Sequence, residues 1–182
     1  MLKNRIHNPI IRGLIEWIIA IGLALLLFLV LRMFVFRVAT VSGDSMLPTL
    51  EDGDRLILNR AAVVFSELRT GDIVAYPYPG NPSEYHIKRV IGIPGDVVDF
   101  VDGGFIVNGV RLEDAFSYDL VWSGGNVLFP LTVEEGHLFV LGDNRNASKD
   151  SRYSTVGTIA SGDIIGRVLL RIWPFDSFGR VE

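Results

Sequence analysis

Three stretches carry the residue types of a hydrolytic site: SGDSMLPTL at 42–50, YHIKRVIGIPGD at 85–96 and LGDNRNASKDSR at 141–152. In the first, Pro48 fixes one φ angle and Gly43 lets the chain bend or approach another chain closely. Such a turn can aim the Ser45 hydroxyl and its backbone N–H at one point, which suits a nucleophile and an oxyanion donor. A serine in this setting is also an ordinary turn or cap residue. A nearby base would separate the two readings.

There are three histidines. His7 lies on the far side of a long apolar run, while His86 and His137 sit in apolar stretches. On a strand His86 and Lys88 share a face, so either can serve as the base. Ile87, Val90, Ile91 and Ile93 give Lys88 a poorly hydrated setting. Burial disfavours the ammonium, and lowering a lysine from about 10.4 to about 7 corresponds to about 4–5 kcal/mol. Arg89 points to the opposite face, as a solvated charge or one half of an ion pair. In the third stretch Ser148, Asp150 and Arg152 alternate at period two and share a face on an extended chain. They suit a layer that orients catalytic groups. Ser148 can hold the lysine amine, and Asp150 can pair with Arg152 or Arg89.

These residues need a scaffold. The chain has 182 residues, enough for a membrane anchor and one modest domain. Trp17–Phe36 carries a single charge, Arg32. As a helix it spans about 30 Å, the hydrocarbon thickness of a bilayer. It exceeds a signal-peptide core, and Phe34-Val35-Phe36-Arg37 makes a poor cleavage site, so a retained single span is expected. Lys3, Arg5 and Arg12 precede it; Asp44, Glu51, Asp52 and Asp54 follow soon after. The positive-inside bias places the N-terminus in the cytoplasm and the rest outside, anchored in the lipid bilayer of the plasma membrane. The expected division is a cytoplasmic segment at 1–13, a transmembrane helix at 14–36 and a β-rich domain at 37–182.

The fold class is mainly β. Short runs of β-formers (55–59, 72–77, 85–93, 96–101, 104–109, 137–142 and 163–173) alternate with Gly/Pro/Asn/Asp turns. GFIVNGVRL at 104–112 has the form of a hairpin with an Asn-Gly turn. Residues 61–68 hold at most a short helix. Residues 113–136 are the least patterned and are expected to form a flap within a reduced insertion around 97–136. A net charge of −4 argues against a nucleic-acid partner. The absence of cysteine excludes disulfides, thiolate zinc sites and a cysteine nucleophile.

Together the three stretches, with GDIVAYPYP at 71–79, resemble the conserved boxes of type I signal peptidases, the membrane-anchored Ser/Lys endopeptidases. Their order, spacing and single upstream span agree over roughly residues 12–173. The resemblance implies that Ser45 is the nucleophile, Lys88 the general base and Ser148 the hydroxyl that positions the lysine. It makes Asp150 and Arg152 scaffold residues, with Arg89 as an ion-pair partner. Gram-negative members often carry an oxyanion-assisting serine two positions before the nucleophile. Here that position is Gly43, as in the shorter single-span enzymes of Gram-positive bacteria, so the Ser45 N–H carries more of that duty. The implied substrates are secreted preproteins, cut after small residues in an Ala-X-Ala-like pattern, in transient proximity to the secretion translocon. No metal or cofactor is required. A self-cleaving repressor-type Ser/Lys protease fits neither the span nor LGDNRNASKDSR. A catalytically silent, membrane-anchored peptide-binding domain is a further reading, separated from the first by processing activity.

Overall fold

The computed structural model describes residues 9–112 and 121–181. The chain divides into two units, Met1–Phe36 and Arg37–Glu182. The first is helix α1 (Pro9–Val35). Pro9 suits a first helical position, where no N–H partner is needed. The portion Ile10–Val30 is long and apolar enough to cross a membrane, and none of it is buried against protein. Arg12 and Glu16 pair one turn apart at 3.0 Å near its start. The helix begins before the expected residue 14.

The chain continues as β1 (Phe36–Thr40), β2 (Arg55–Asn59), α2 (Ala61–Phe65), β3 (Ile73–Tyr78), β4 (Asn81–Gly92) and β5 (Val97–Val101). It ends through β6 (Gly104–Val107), β7 (Val110–Arg111), β8 (Leu131–Thr132), β9 (His137–Leu141), β10 (Ile159–Ala160) and β11 (Gly166–Trp173). The fold is mainly β after an N-terminal apolar helix. One sheet has seven strands in the order β1-β2-β11-β3-β4-β9-β10, and a second has four in the order β7-β6-β5-β8. The expected hairpin is β6–β7. Asn108 at φ 52° and Gly109 at φ 79° supply the two positive angles of a tight two-residue turn. The expected flap falls partly on 113–120, outside the described residues.

Period-two alternation sends neighbouring residues of β3 and β4 to opposite sides. Ile73, Ala75 and Ile87 join Met46, Leu50 and Leu58 in one apolar cluster. Val74, Tyr76 and Val90 join Leu138 and Val140 in another. A third cluster forms where Ile91, Phe139 and Leu141 meet Val98 and Phe105 of the smaller sheet. Gly92, at the bend of β4, has no room for a side chain. An added Cβ would meet Val98 and Val133 methyls at 3.0 Å, which lets the small sheet pack closely.

Strand β4 is paired unevenly. From Asn81 to Arg89 it pairs with β3, but β9 joins its other edge only from Arg89 onward. Among the described residues, 81–88 therefore present an unpaired backbone edge. Strand β1 stands at the outer end of the same sheet.

Candidate functional site

Ser45 lies in a turn between β1 and β2 whose shape is set by its ends. Gly43 adopts φ +82°, a conformation that favours glycine, and its N–H donates to Asp52 Oδ1 at 2.8 Å. Met46 and Leu50 are buried in the core, and Leu50 N–H donates to Met46 O at 2.9 Å. The turn is also tied to the 141–152 segment. Asn144 N–H donates to Ser45 O at 3.1 Å, and Asn144 Nδ2 donates to Asp44 O at 3.0 Å. The Ser45 N–H has no acceptor among the described residues.

Lys88 enters from β4 and is 3% exposed. Its Nζ donates to Ser45 Oγ at 2.7 Å and to Ile87 O at 3.1 Å. Burial pulls the Lys88 ammonium down from its ordinary 10.5 to about 8, partly countered by the carboxylates of Asp150 and Asp143. The two residues thus meet at hydrogen-bond distance, with the amine dry enough to lose its proton near neutral pH. Both line a cavity of about 280 Å³, together with Thr40, Gly43, His86 and Lys149.

His86 is brought to the same cavity but makes no hydrogen bond to Ser45. Its ring stacks on Tyr78, with centroids 4.5 Å apart, and burial and the charge of Lys88 lower it to about 4. Burial likewise pushes the Tyr76 phenol up. His137, at the start of β9, faces the Glu135 carbonyl at 3.1 Å and does not line the cavity.

The 141–152 segment is a short 3₁₀ turn, Arg145–Ala147, held by two buried ion pairs. Arg152 Nε donates to Asp150 Oδ1 at 2.7 Å and Nη2 to Asp150 Oδ2 at 2.9 Å. The same guanidinium donates to the carbonyls of Arg145, Ser148 and Ser123, at 2.6, 3.2 and 3.1 Å. Asp150 also accepts from Gly142 N–H at 3.1 Å. Of the two partners open to Asp150 in the sequence, Arg152 and Arg89, it pairs with Arg152 and not with Arg89. Arg89 Nε and Nη2 donate to Asp143 at 2.9 and 2.8 Å, because Arg89 points to the face of β4 away from Lys88. Thr49 Oγ1 completes this group, donating to Asp143 Oδ2 at 2.6 Å. Asp143 thereby ties its own stretch to one residue from each of the other two motif stretches. Sequence reasoning missed Thr49; its place within SGDSMLPTL was the available signal.

Ser148 is 7% exposed, but its hydroxyl has no hydrogen-bond partner among the described residues. The expected bond from Ser148 to the lysine amine is not formed; Lys88 Nζ bonds Ser45 Oγ and Ile87 O instead. The contact is close on another side: a Cβ on Gly142 would overlap both Ser148 Oγ and the Ser45 carbonyl oxygen.

A second cavity, of about 220 Å³, is lined by Ala39, Leu58, Ala75, Tyr85, Ile87 and Ile165, with Arg37, Val38 and Thr40 at β1. Tyr85 and Ile87 border both cavities. Arg37 lies over the Tyr85 ring at 5.1 Å. Among the described residues no group of histidines and carboxylates is arranged to hold a metal.

Comparison with known proteins adds a family to this geometry. The model of the family described as "Signal peptidase, peptidase S26" matches residues 14–173. Signal peptidase IB of Staphylococcus aureus (strain Mu50) is 34% identical, over 92% of this chain and 93% of that protein. Signal peptidase I of Leptolyngbya laminosa is 38% identical, over 92% of this chain and 84% of its own length. The crystal structure of a signal peptidase I from Enterococcus faecalis aligns with 56% of this chain and 97% of that one, at 32% identity and a TM-score of 0.48. By the extent of the family match and the identity of these relatives, the chain belongs to the signal peptidase family, peptidase S26, among its type I members.

Proposed function

We propose that this protein removes N-terminal signal peptides from secreted preproteins by acyl-enzyme chemistry, with Ser45 as nucleophile and Lys88 as general base. Family membership supports the reaction class. The observation that carries the assignment of residues is the 2.7 Å contact between Ser45 Oγ and a lysine amine buried enough to titrate near 8.

The reaction runs in two halves. Neutral Lys88 takes the proton from Ser45 Oγ as the oxygen attacks the scissile carbonyl. The oxyanion then faces the Ser45 N–H, which is free to donate, whereas the Gly43 N–H is held by Asp52. Lys88 returns the proton to the leaving amine, and the mature protein departs. A water then gives its proton to Lys88 and attacks the acyl carbonyl. Ser45 Oγ leaves with that proton and the signal peptide is released.

The unpaired edge of β4 at 81–88 suits substrate bound as an added strand. The apolar cavity beside Ala39, Ala75 and Ile87 suits a small side chain near the cut. Asp150, Arg152 and Arg89 act as positioning residues, Ser148 contributes its carbonyl to the Arg152 guanidinium, and Gly43 shapes the turn. Residues 1–13 are assigned to the cytoplasm, the helix to the bilayer and residues 37–182 to the outer side, where preproteins emerge.

The test is cleavage of a preprotein by detergent-solubilised wild type, Ser45→Ala, Lys88→Ala and His86→Ala, scored by size and by the new N-terminus. Loss in both Ser45→Ala and Lys88→Ala, with His86→Ala active, is the expected result. Activity in Lys88→Ala with loss in His86→Ala would move the base to the histidine. No processing by folded wild type would favour a silent peptide-binding domain.

A further inference from the structure

Lys149 stands apart from its neighbours. Ser148 and Asp150 are buried, but Lys149 is exposed and lines the same cavity as Ser45 and Lys88. Its ammonium sits 5.1 Å from the centroid of the Tyr78 ring, which is itself stacked on His86. A cation over an aromatic face is held in place while its N–H groups stay available. Lys149 makes no ion pair among the described residues. The adjoining Asp150 carboxylate is engaged by Arg152 and the Gly142 N–H. Glu84, close enough to raise His86, accepts from Asn81 Nδ2 at 3.0 Å. Asp44 lines the cavity but adjoins Ser45 in the chain and makes no ion pair with Lys149.

The parity of β4 says which substrate side chain meets this charge. Tyr85 and Ile87 border the apolar cavity, and His86 and Lys88 point to the other face. A substrate strand added to this edge alternates in the same way. If the first and third side chains before the cut fill the small apolar spaces, those of opposite parity face His86, Tyr78 and Lys149. These are the second residue before the cut and the first after it.

We infer that Lys149, seated on the Tyr78–His86 stack, is a specificity-determining residue that selects an acidic side chain at one of these two substrate positions. The inference rests on the active-site reading above and adds a charge preference to it. His86 is held neutral by burial and the neighbouring Lys88, so it supports the Tyr78 ring by stacking and adds no competing charge.

The test uses the full-length enzyme in detergent micelles and internally quenched peptides that differ only at the second position before the cut or, in a second set, at the first after it. Each set carries Ala, Glu or Lys there. The readout is the ratio of kcat/KM for the Glu and Lys peptides within each enzyme, so a general loss of activity cancels. In the wild type the ratio should be roughly fivefold in one set, as expected for an exposed charge pair, and should shrink with added salt. Lys149→Met should bring it to about one, Lys149→Glu should invert it, and Lys149→Arg should preserve it. The same ratio in all four enzymes, or none in the wild type, overturns the inference. Ser45→Ala serves as a separate control: cleavage by that variant would overturn the underlying Ser/Lys reading instead.

Discussion

A buried ammonium is costly, and Lys88 carries that cost in the folded state. Expectations follow for both activity and stability. If Lys88 is the base, kcat/KM should rise with pH and level off above about 8, because only the neutral amine accepts the serine proton. A profile flat between pH 6 and 9 would remove lysine from that role. Stability carries the same sign. The folded pKa lies below that of the unfolded chain, so the unfolded state holds more protons between about 8 and 10.5 and wild-type stability rises with pH across that window. Below it the full penalty applies. Lys88→Met should therefore abolish cleavage yet stabilise the fold near pH 7 by about 2–3 kcal/mol, read from the urea midpoint. The Arg89–Asp143 pair behaves in reverse. Asp143→Ala removes the carboxylate that Arg89 pairs with in the buried interior, and a loss of about 3–5 kcal/mol is expected by the same measurement. The sequence made Ser45 and Lys88 legible because each stands in a motif whose neighbours dictate its setting. It offered Asp150 and not Asp143 to Arg89, because period-two parity shows which face a side chain takes but not which carboxylate waits there. The unbonded hydroxyl of Ser148 was not legible, since period-two parity does not fix where a side chain in a turn comes to rest.

At the scale of elements, the 141–152 segment owes its shape to a distant loop. Arg152 donates to Ser123 O, and its own carbonyl accepts the N–H groups of Asn126 and Val127 at 2.9 and 3.1 Å. Gly125 makes this possible. It adopts φ +86°, and a Cβ there would overlap the Arg152 carbonyl. Gly125→Ala should therefore loosen both segments at a cost of about 2–3 kcal/mol, seen as faster amide exchange across 145–152 along with weaker cleavage. Unchanged exchange there would show that the loop is not a brace. The sequence reading of 113–136 as least patterned passed over this support, because it comes from backbone hydrogen bonds and leaves no periodicity to read. Strand β1 was equally hidden. Its text, FRVAT, merges with the apolar run before it, and only pairing with β2 distinguishes the two. The β6–β7 hairpin was visible in advance because Asn-Gly is among the few dipeptides that accept two positive φ angles.

At the scale of the whole molecule, the first unit supplies location and the second supplies chemistry. The apolar helix was legible from length and composition alone. Its orientation is an inference from flanking charge and can be tested directly. Protease added to intact spheroplasts should digest residues 37–182 and spare an N-terminal tag. The reverse pattern would place the serine on the side where preproteins have not yet crossed. A chain without cysteine has no thiol to oxidise, and it can take a single introduced cysteine as a reporter of exposure.

The free edge of β4 ends one residue past the buried lysine, where β9 takes over at Arg89. A guest strand can advance along that edge only until it meets β9, and must there turn away from the sheet. Under the proposed binding mode the scaffold would work as a ruler with a stop, the bond placed over the serine being chosen by how far the chain has slid before it halts. On this view the cut site is read by position along a track as much as by the side chains that flank it.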